Sequence, residues 1–291
     1  MFFNIYCKII KYLDINRNLT LYFCFIKFFY HSKVTLFYIQ TKKEPFFKAQ
    51  FILKMTKLSV NINKIATLRN ARGADYPNVV QFAKDIQRFG VQGITIHPRP
   101  DERHIRYQDA RDLKSVVYTE FNIEGNPQHN FIDLVLECQP TQVTLVPDAI
   151  GALTSSAGWD TIAFESYLTD VVSEFKRNGI RTSIFVGTDL KIIEGAKKAG
   201  TDRIEFYTEN FAHQYGIGNQ SAIEPYTKAA VFANDLGLGL NAGHDLSLDN
   251  IKFFKDNMPN LLEVSIGHAL ITEALYFGLD NVVNMYLNKL K

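Results

Sequence analysis

From residue 55 onward the chain alternates between short β-branched runs and longer amphipathic runs. Residues 58–63, Leu-Ser-Val-Asn-Ile-Asn, alternate apolar and polar positions as a strand does, then give way to a polar loop carrying Arg69 and Arg72. Residues 76–89 place Val79, Val80, Ala83, Ile86 and Phe89 at helical spacing. The same reading predicts strands at 93–97, 120–124, 142–146, 181–186, 203–207, 237–241 and 262–266. Helices are predicted near 108–117, 127–138, 161–178, 190–199, 225–236 and 248–257, with a closing helix from 269. Long connections follow the fourth and sixth strands. Gly90, Gly179, Gly200 and Gly237 stand just past predicted helices, where a left-handed closing residue belongs.

Strict alternation with mostly short connections implies parallel strands joined by right-handed crossovers. Eight such units over residues 55–291 have the number and size of a (β/α)8 TIM barrel, an α/β fold in a single domain. An open doubly wound sheet is the alternative, but the chain lacks the G-x-G-x-x-G turn that would favour it.

Composition adds a boundary. The apolar fraction of 46% and charged fraction of 21% are ordinary for a globular protein. Residues 1–54 differ: they hold ten of the 23 phenylalanines, no glycine, and nine Lys/Arg against Asp14 and Glu44. That balance of +7 leaves −5 for the remainder of a chain whose total is +2. A signal peptide needs a compact apolar run and a small-residue cleavage site, which this segment lacks. Lys27, His31 and Lys33 interrupt its best membrane-span candidate, residues 19–39. We therefore expect residues 1–54 to be an unstructured N-terminal extension, or upstream sequence not natively translated, with Met55 as the natural start. Neither a membrane nor a nucleic-acid partner is expected, because nothing gathers the basic residues onto one face. Cys7, Cys24 and Cys138 are too few and too scattered for a disulfide framework, so a reducing, cytoplasmic setting is expected.

In a barrel of this kind the functional face is built from the C-terminal ends of the strands and the loops that leave them. Those places hold Asn61 and Asn63 with Arg69 and Arg72; His97, Arg99 and His104; Glu124; Thr154; Glu205; His244; and Gly267 with His268. The strand starts read Leu58, Gly93, Gln142, Leu238 and Leu262, with few catalytic types. His97, His104, His244 and Glu124 are the ligand types of a catalytic zinc site. No H-x-H or H-E-x-x-H spacing is present, however, and Arg99 and Arg103 would repel a dication. Arginine forks and glycine-bearing loops after the last two strands suit phosphate instead. The residues alone thus point to an enzyme acting on phosphorylated small molecules by His/Glu acid–base chemistry. A barrel aldolase or epimerase on another phosphosugar and a zinc-dependent hydrolase stay open.

Six ordered motifs carry a resemblance: N-I-N-K-I-A-T-L-R-N-A-R-G, G-I-T-I-H-P-R-P-D-E-R-H-I, F-N-I-E-G, V-T-L-V-P-D, L-N-A-G-H and S-I-G-H-A. From Thr56 to its end the chain resembles the pyridoxine 5′-phosphate synthase family. The resemblance implies a transferase that closes a pyridine ring in vitamin B6 biosynthesis. Its substrates would be 1-deoxy-D-xylulose 5-phosphate and 3-amino-2-oxopropyl phosphate, with release of phosphate and water. It implies no metal or other cofactor, and a homo-octamer built from dimers.

By the same resemblance, His97 and Glu124 match proton acceptors, His244 a proton donor, and Glu205 a carboxylate that stabilises the transition state. Asn61, Arg72, Gly267 and His268 match contacts to the amino-oxopropyl phosphate, and Arg99, His104 and Thr154 contacts to the pentulose phosphate. Two positions depart from the family pattern. Asn63-Lys64 stands where Asp-His is common, and Asp245 where glycine commonly follows the donor histidine; all three are expected at the substrate-binding face.

Overall fold

The structure, a computed structural model, describes residues 6–14, 19–27, 35–41, 44–48, 55–148 and 157–291, the first four stretches as backbone alone. The chain divides into two units, Met1–Lys54 and Met55–Lys291. In the first, β1 (Tyr6–Asp14), β2 (Leu19–Lys27), β3 (Thr35–Thr41) and β4 (Glu44–Lys48) form an antiparallel sheet in that order. This departs from the expected lack of structure. The segment is rich in aromatic and β-branched residues, which favour extended backbone even without clean alternation.

The second unit is the expected barrel. Its strands are β5 (Lys57–Asn61), β6 (Gly93–Ile96), β7 (Glu120–Gly125), β8 (Gln142–Leu145), β9 (Arg181–Val186), β10 (Arg203–Tyr207), β11 (Gly239–Gly243) and β12 (Leu261–Ile266). Each pairs in parallel with the next, and β12 closes on β5. The helices are α1 (Asn63–Asn70), α2 (Val79–Arg88), α3 (Tyr107–Lys114), α4 (His129–Cys138), α5 (Glu165–Arg177), α6 (Leu190–Lys198), α7 (Glu209–Gly216), α8 (Glu224–Asp235), α9 (Ile251–Asn257), α10 (His268–Phe277) and α11 (Leu279–Lys289). Gly90, Gly179, Gly200 and Gly237 have φ of 101°, 75°, 82° and 73°, the left-handed conformation expected of closing residues. Among the described residues no helix is long and apolar enough to cross a membrane.

Two helices lie where the sequence reads as loop. In α1, Ile65, Ala66 and Arg69 are buried at helical spacing, with Arg69 in a place that apolar periodicity does not flag. In α7 Phe211 is the single buried residue, so its eight residues show little amphipathic pattern. The closing helix is two helices, α10 and α11, parted by Gly278 at φ 80°.

Strand alternation sorts the side chains into two layers. Leu58, Val60, Ile94, Ile96, Ile123, Val143, Leu145, Ile184, Ile204, Phe206, Leu240 and Val264 are fully buried in the apolar core shared with the helices. The alternate positions form a polar interior, where barrels usually carry bulky aliphatic residues. Ser59 Oγ lies 2.7 Å from Thr95 Oγ1, Asn122 Nδ2 donates to Thr95 Oγ1 at 3.4 Å, and Thr144 Oγ1 donates to Asn122 Oδ1 at 3.1 Å.

One expectation about the strand starts changes. Glu120 begins β7 and takes ion pairs from Lys57 at 3.0 Å, from Arg203 at 3.7 Å and from Arg181. Arg203 also lies 3.9 Å from Glu263. The starts are therefore charged as well, but their charges are spent on one another rather than held towards a cavity.

Candidate active site

The opposite end of the barrel opens into a cavity of about 520 Å³. It is lined by Asn61, Asn63, Lys64, His97, Arg99, His104, Glu124, Glu205, His244, Asp245, Gly267 and His268, together with Phe185, Glu209 and others. Ten strand-end positions singled out from sequence thus share one cavity with Lys64 and Asp245. The site begins at β5, where Asn61 Nδ2 donates to Glu124 Oε2 at 3.4 Å and Asn61 Oδ1 accepts from the Asn63 amide at 3.0 Å. Asn63 Oδ1 in turn accepts from the His97 amide at 2.9 Å, tying the first strand end to the second.

His97 and Arg99 are both buried. Arg99 Nη2 donates to Asp148 Oδ2 at 2.5 Å, and the same oxygen lies 4.0 Å from His97 Nε2. Burial, with help from Arg99, His104 and Arg103, holds the His97 imidazole well below its ordinary pKa. His104, also disfavoured as a cation by burial and by Arg99, Arg103 and Lys64, is pushed down to about 4. Both rings are therefore neutral near pH 7 and able to accept protons or hydrogen bonds.

The carboxylates shift the other way. Glu124 is raised well above its usual value, first by burial and then by Glu205, Asp148 and Glu263. Glu205 is pushed up to about 7 by burial, against the opposing effects of Thr144 and His244. Gly243 leaves the room Glu205 needs, since a Cβ there would stand 2.5 Å from Glu205 Oε1. Neutral imidazoles beside carboxyls of raised pKa form a set able to move protons in both directions.

Gly267, beside Asn61 across the β12–β5 pairing, precedes α10, and no side chain caps that helix. Gly267, His268 and Ala269 line the cavity, so the uncapped N-terminus of a ten-residue helix is presented to it. Such an end favours anions through its backbone N–H groups and its dipole.

Arg72 is not in this lining. Arg72 is exposed in the turn after α1, while Thr154 lies outside the described residues. The buried arginine of that stretch is Arg69, whose Nη1 and Nη2 donate to the two Asp109 carboxylate oxygens at 2.5 and 2.9 Å. Arg69 also donates to the His104 carbonyl at 3.2 Å, so it holds the loop that carries His104. Sequence reasoning missed Asp148, although it ends the V-T-L-V-P-D motif; a carboxylate after a proline reads as a solvated loop residue.

The arrangement of the metal-type residues bears on the zinc alternative. Among the described residues, no three or more His, Cys, Asp or Glu are gathered so as to hold a metal ion.

Comparison with known proteins places the chain. A family model for "Pyridoxal phosphate biosynthesis protein PdxJ" matches residues 58–291. The chain is 78% identical over 237 residues to a pyridoxine 5′-phosphate synthase of Flavobacterium johnsoniae, an alignment covering 81% of this chain and all of the relative. It is 65% identical, with the same coverage, to the pyridoxine 5′-phosphate synthase of Christiangramia forsetii. Among solved structures, thiamine phosphate pyrophosphorylase from Pyrococcus furiosus superposes with a TM-score of 0.51 at 13% identity, covering 81% of this chain and 94% of that one. The YdjI aldolase from Escherichia coli K12 does so with a TM-score of 0.51 at 12% identity, covering 81% and 88%. Those two share the fold alone. The relatives align along the whole barrel, and the chain belongs to the PdxJ family of pyridoxal phosphate biosynthesis proteins.

Proposed function

We propose that this chain is a pyridoxine 5′-phosphate synthase, condensing 1-deoxy-D-xylulose 5-phosphate with 3-amino-2-oxopropyl phosphate into pyridoxine 5′-phosphate, phosphate and water. Condensation, enolisation and successive dehydrations each move protons between carbon, nitrogen and oxygen. The observation that carries the reading is the gathering of His97, Glu124, Glu205 and His244 around one cavity that an uncapped helix N-terminus also lines.

His97 is buried and kept neutral, as a base must be before it takes a proton. Glu124 holds its proton more tightly than an ordinary carboxylate, which brings its basicity closer to working pH. His244 serves as the proton donor, and Glu205 faces the charge that develops in the transition state. The Gly267–His268 end of α10 and Asn61 receive the amino-oxopropyl phosphate. Arg99 and His104 receive the pentulose phosphate, Arg99 having one of its five donors engaged by Asp148. Lys64 supplies a point charge at the mouth of the cavity in the place where the family commonly carries histidine. Arg72 and Thr154 complete the two phosphate sites by resemblance alone.

We also assign the protein to the cytoplasm as a homo-oligomer, an octamer by resemblance. Leu275, Tyr276 and Phe277 at the end of α10 are 77%, 86% and 52% exposed, an apolar surface suited to self-association. The test of function is to incubate the purified protein with both phosphates, with and without chelator. Pyridoxine 5′-phosphate should form with equimolar inorganic phosphate, at a rate the chelator leaves unchanged. Consumption of one substrate alone, or dependence on a stoichiometric metal, would refute the reading.

A further inference from the structure

His244 and Asp245 follow β11 with φ of 71° and 54°, two consecutive left-handed residues of which neither is glycine. That conformation is strained for an L-residue, so it persists where neighbours enforce it. Thr208 Oγ1 donates to the Gly243 carbonyl at 2.7 Å, the Leu246 amide to the His244 carbonyl at 2.8 Å, and Asn250 Nδ2 to the Asp245 carbonyl at 3.2 Å. In an extended strand, adjacent side chains would point to opposite faces. Here the turn brings them together, and Asp245 Oδ2 lies 2.6 Å from His244 Nδ1. The Tyr207 ring meets the imidazole edge-on, centroids 5.1 Å apart. The His244 side chain is only a quarter exposed. Glu205 on β10 and His268 on α10 also act on this pair.

We propose that Asp245 is a positioning residue for His244, accepting a hydrogen bond from Nδ1–H and leaving Nε2 as the nitrogen that exchanges a proton with the cavity. The proposal rests on the reading of His244 as the proton donor. When the imidazolium acts, the Nε2–H bond breaks and its electron pair stays on nitrogen. The proton passes to the departing oxygen, and Nδ1–H remains on Asp245, so the carboxylate is never protonated. The neutral ring is thereby fixed in one tautomer. The same contact accounts for an acidic side chain beside a phosphate-binding end of the barrel. The carboxylate is engaged by the ring, and that bond is the foremost reason its pKa lies below the ordinary value.

The test compares Asp245→Gly and Asp245→Asn in the full chain. Glycine adopts the left-handed conformation without penalty, so Asp245→Gly should keep or raise the thermal midpoint. Its turnover should nevertheless fall about tenfold to a hundredfold, the size typical when the hydrogen-bond partner behind a metal-bound imidazole is removed. The half-saturating concentrations of both phosphates should stay within about twofold. Asp245→Asn, whose amide oxygen still accepts from Nδ1–H, should recover part of the rate. Nitrogen NMR of labelled histidine, assigned against His244→Gln, should show the neutral His244 ring as Nδ1–H in the parent and shifted towards Nε2–H in Asp245→Gly. Wild-type turnover in Asp245→Gly, or an unchanged tautomer, would overturn the proposal, as would a midpoint that falls together with the activity. If the parent itself makes no pyridoxine 5′-phosphate, the functional reading fails, while the NMR comparison still decides the contact.

Discussion

Arg69 and Arg72 stand three residues apart, one inside α1 and one just past it, yet the fold gives them opposite surroundings. Arg69 is 3% exposed at its side chain and grips Asp109 with two hydrogen bonds, while Arg72 is exposed in the adjoining turn. Removing one partner of a buried charged pair leaves the other uncompensated, at a typical cost of about 3–5 kcal/mol. Asp109→Ala should therefore lower the unfolding free energy by about that much in denaturant titration; a loss below about 1 kcal/mol would mean that the pair is not holding the loop. The contrast also marks where the sequence is legible. His97, Glu124 and His244 can be found because each follows or ends an apolar run, where the fold must deliver it to the rim, and Glu205 because a carboxylate interrupts one. Asp148 cannot, because its role comes from pairing with Arg99 across 49 residues. Glu263 shows the same limit. It lies in an ordinary strand pattern, but burial pushes it up to about 7 despite Arg203, Arg181 and Lys57 nearby. A carboxyl whose folded pKa is raised binds a proton in the native state that the unfolded chain has already lost. Its contribution to stability therefore falls as pH rises from the ordinary 4.5 to about 7. Glu263→Gln should gain on the parent across that window in melting experiments; a difference independent of pH would contradict the assignment.

Among elements, the strands are the more legible because two faces impose a strict period of two. Every barrel strand except β11 begins within about one residue of where the pattern puts it. β11 runs from Gly239 to Gly243, later than the pattern suggests at both ends, and so reaches directly to His244. Short helices are the less legible. α1 and α7 bury three residues and one, too few for apolar periodicity to separate them from loops. The end of β11 also shows how an element's backbone sets chemistry. Gly243 faces Glu205 so closely that a methyl group would stand 2.5 Å from its carboxylate and 3.2 Å from the Ser265 carbonyl. Gly243→Ala should displace Glu205 while leaving the fold in place. Turnover should drop by at least about tenfold, the lower part of the range for a misplaced group at the reacting centre. Circular dichroism should match the parent while the rate does not. An unchanged rate would remove Glu205 from the account.

For the whole molecule, one closed barrel separates two uses of charge. At the strand starts Lys57, Glu120, Arg181, Arg203 and Glu263 form one cluster of ion pairs, and at the strand ends similar residues line a cavity. All named parts of that cavity belong to residues 55–291, and the relatives align along 237 residues. A chain beginning at Met55 should accordingly keep its thermal midpoint and most of its turnover; loss of either would give residues 1–54 a part in folding or catalysis. On this reading the rim closes a pyridine ring by moving protons through buried side chains. The reading is tested most directly by measuring pyridoxine 5′-phosphate formation by the parent and by Glu124→Gln, which keeps the shape of the side chain but cannot accept a proton. Turnover should fall by about 10²–10⁴-fold, the usual contribution of a general acid–base group, with little change in the half-saturating concentration of either phosphate. A Glu124→Gln protein that makes product at the parental rate would contradict the account.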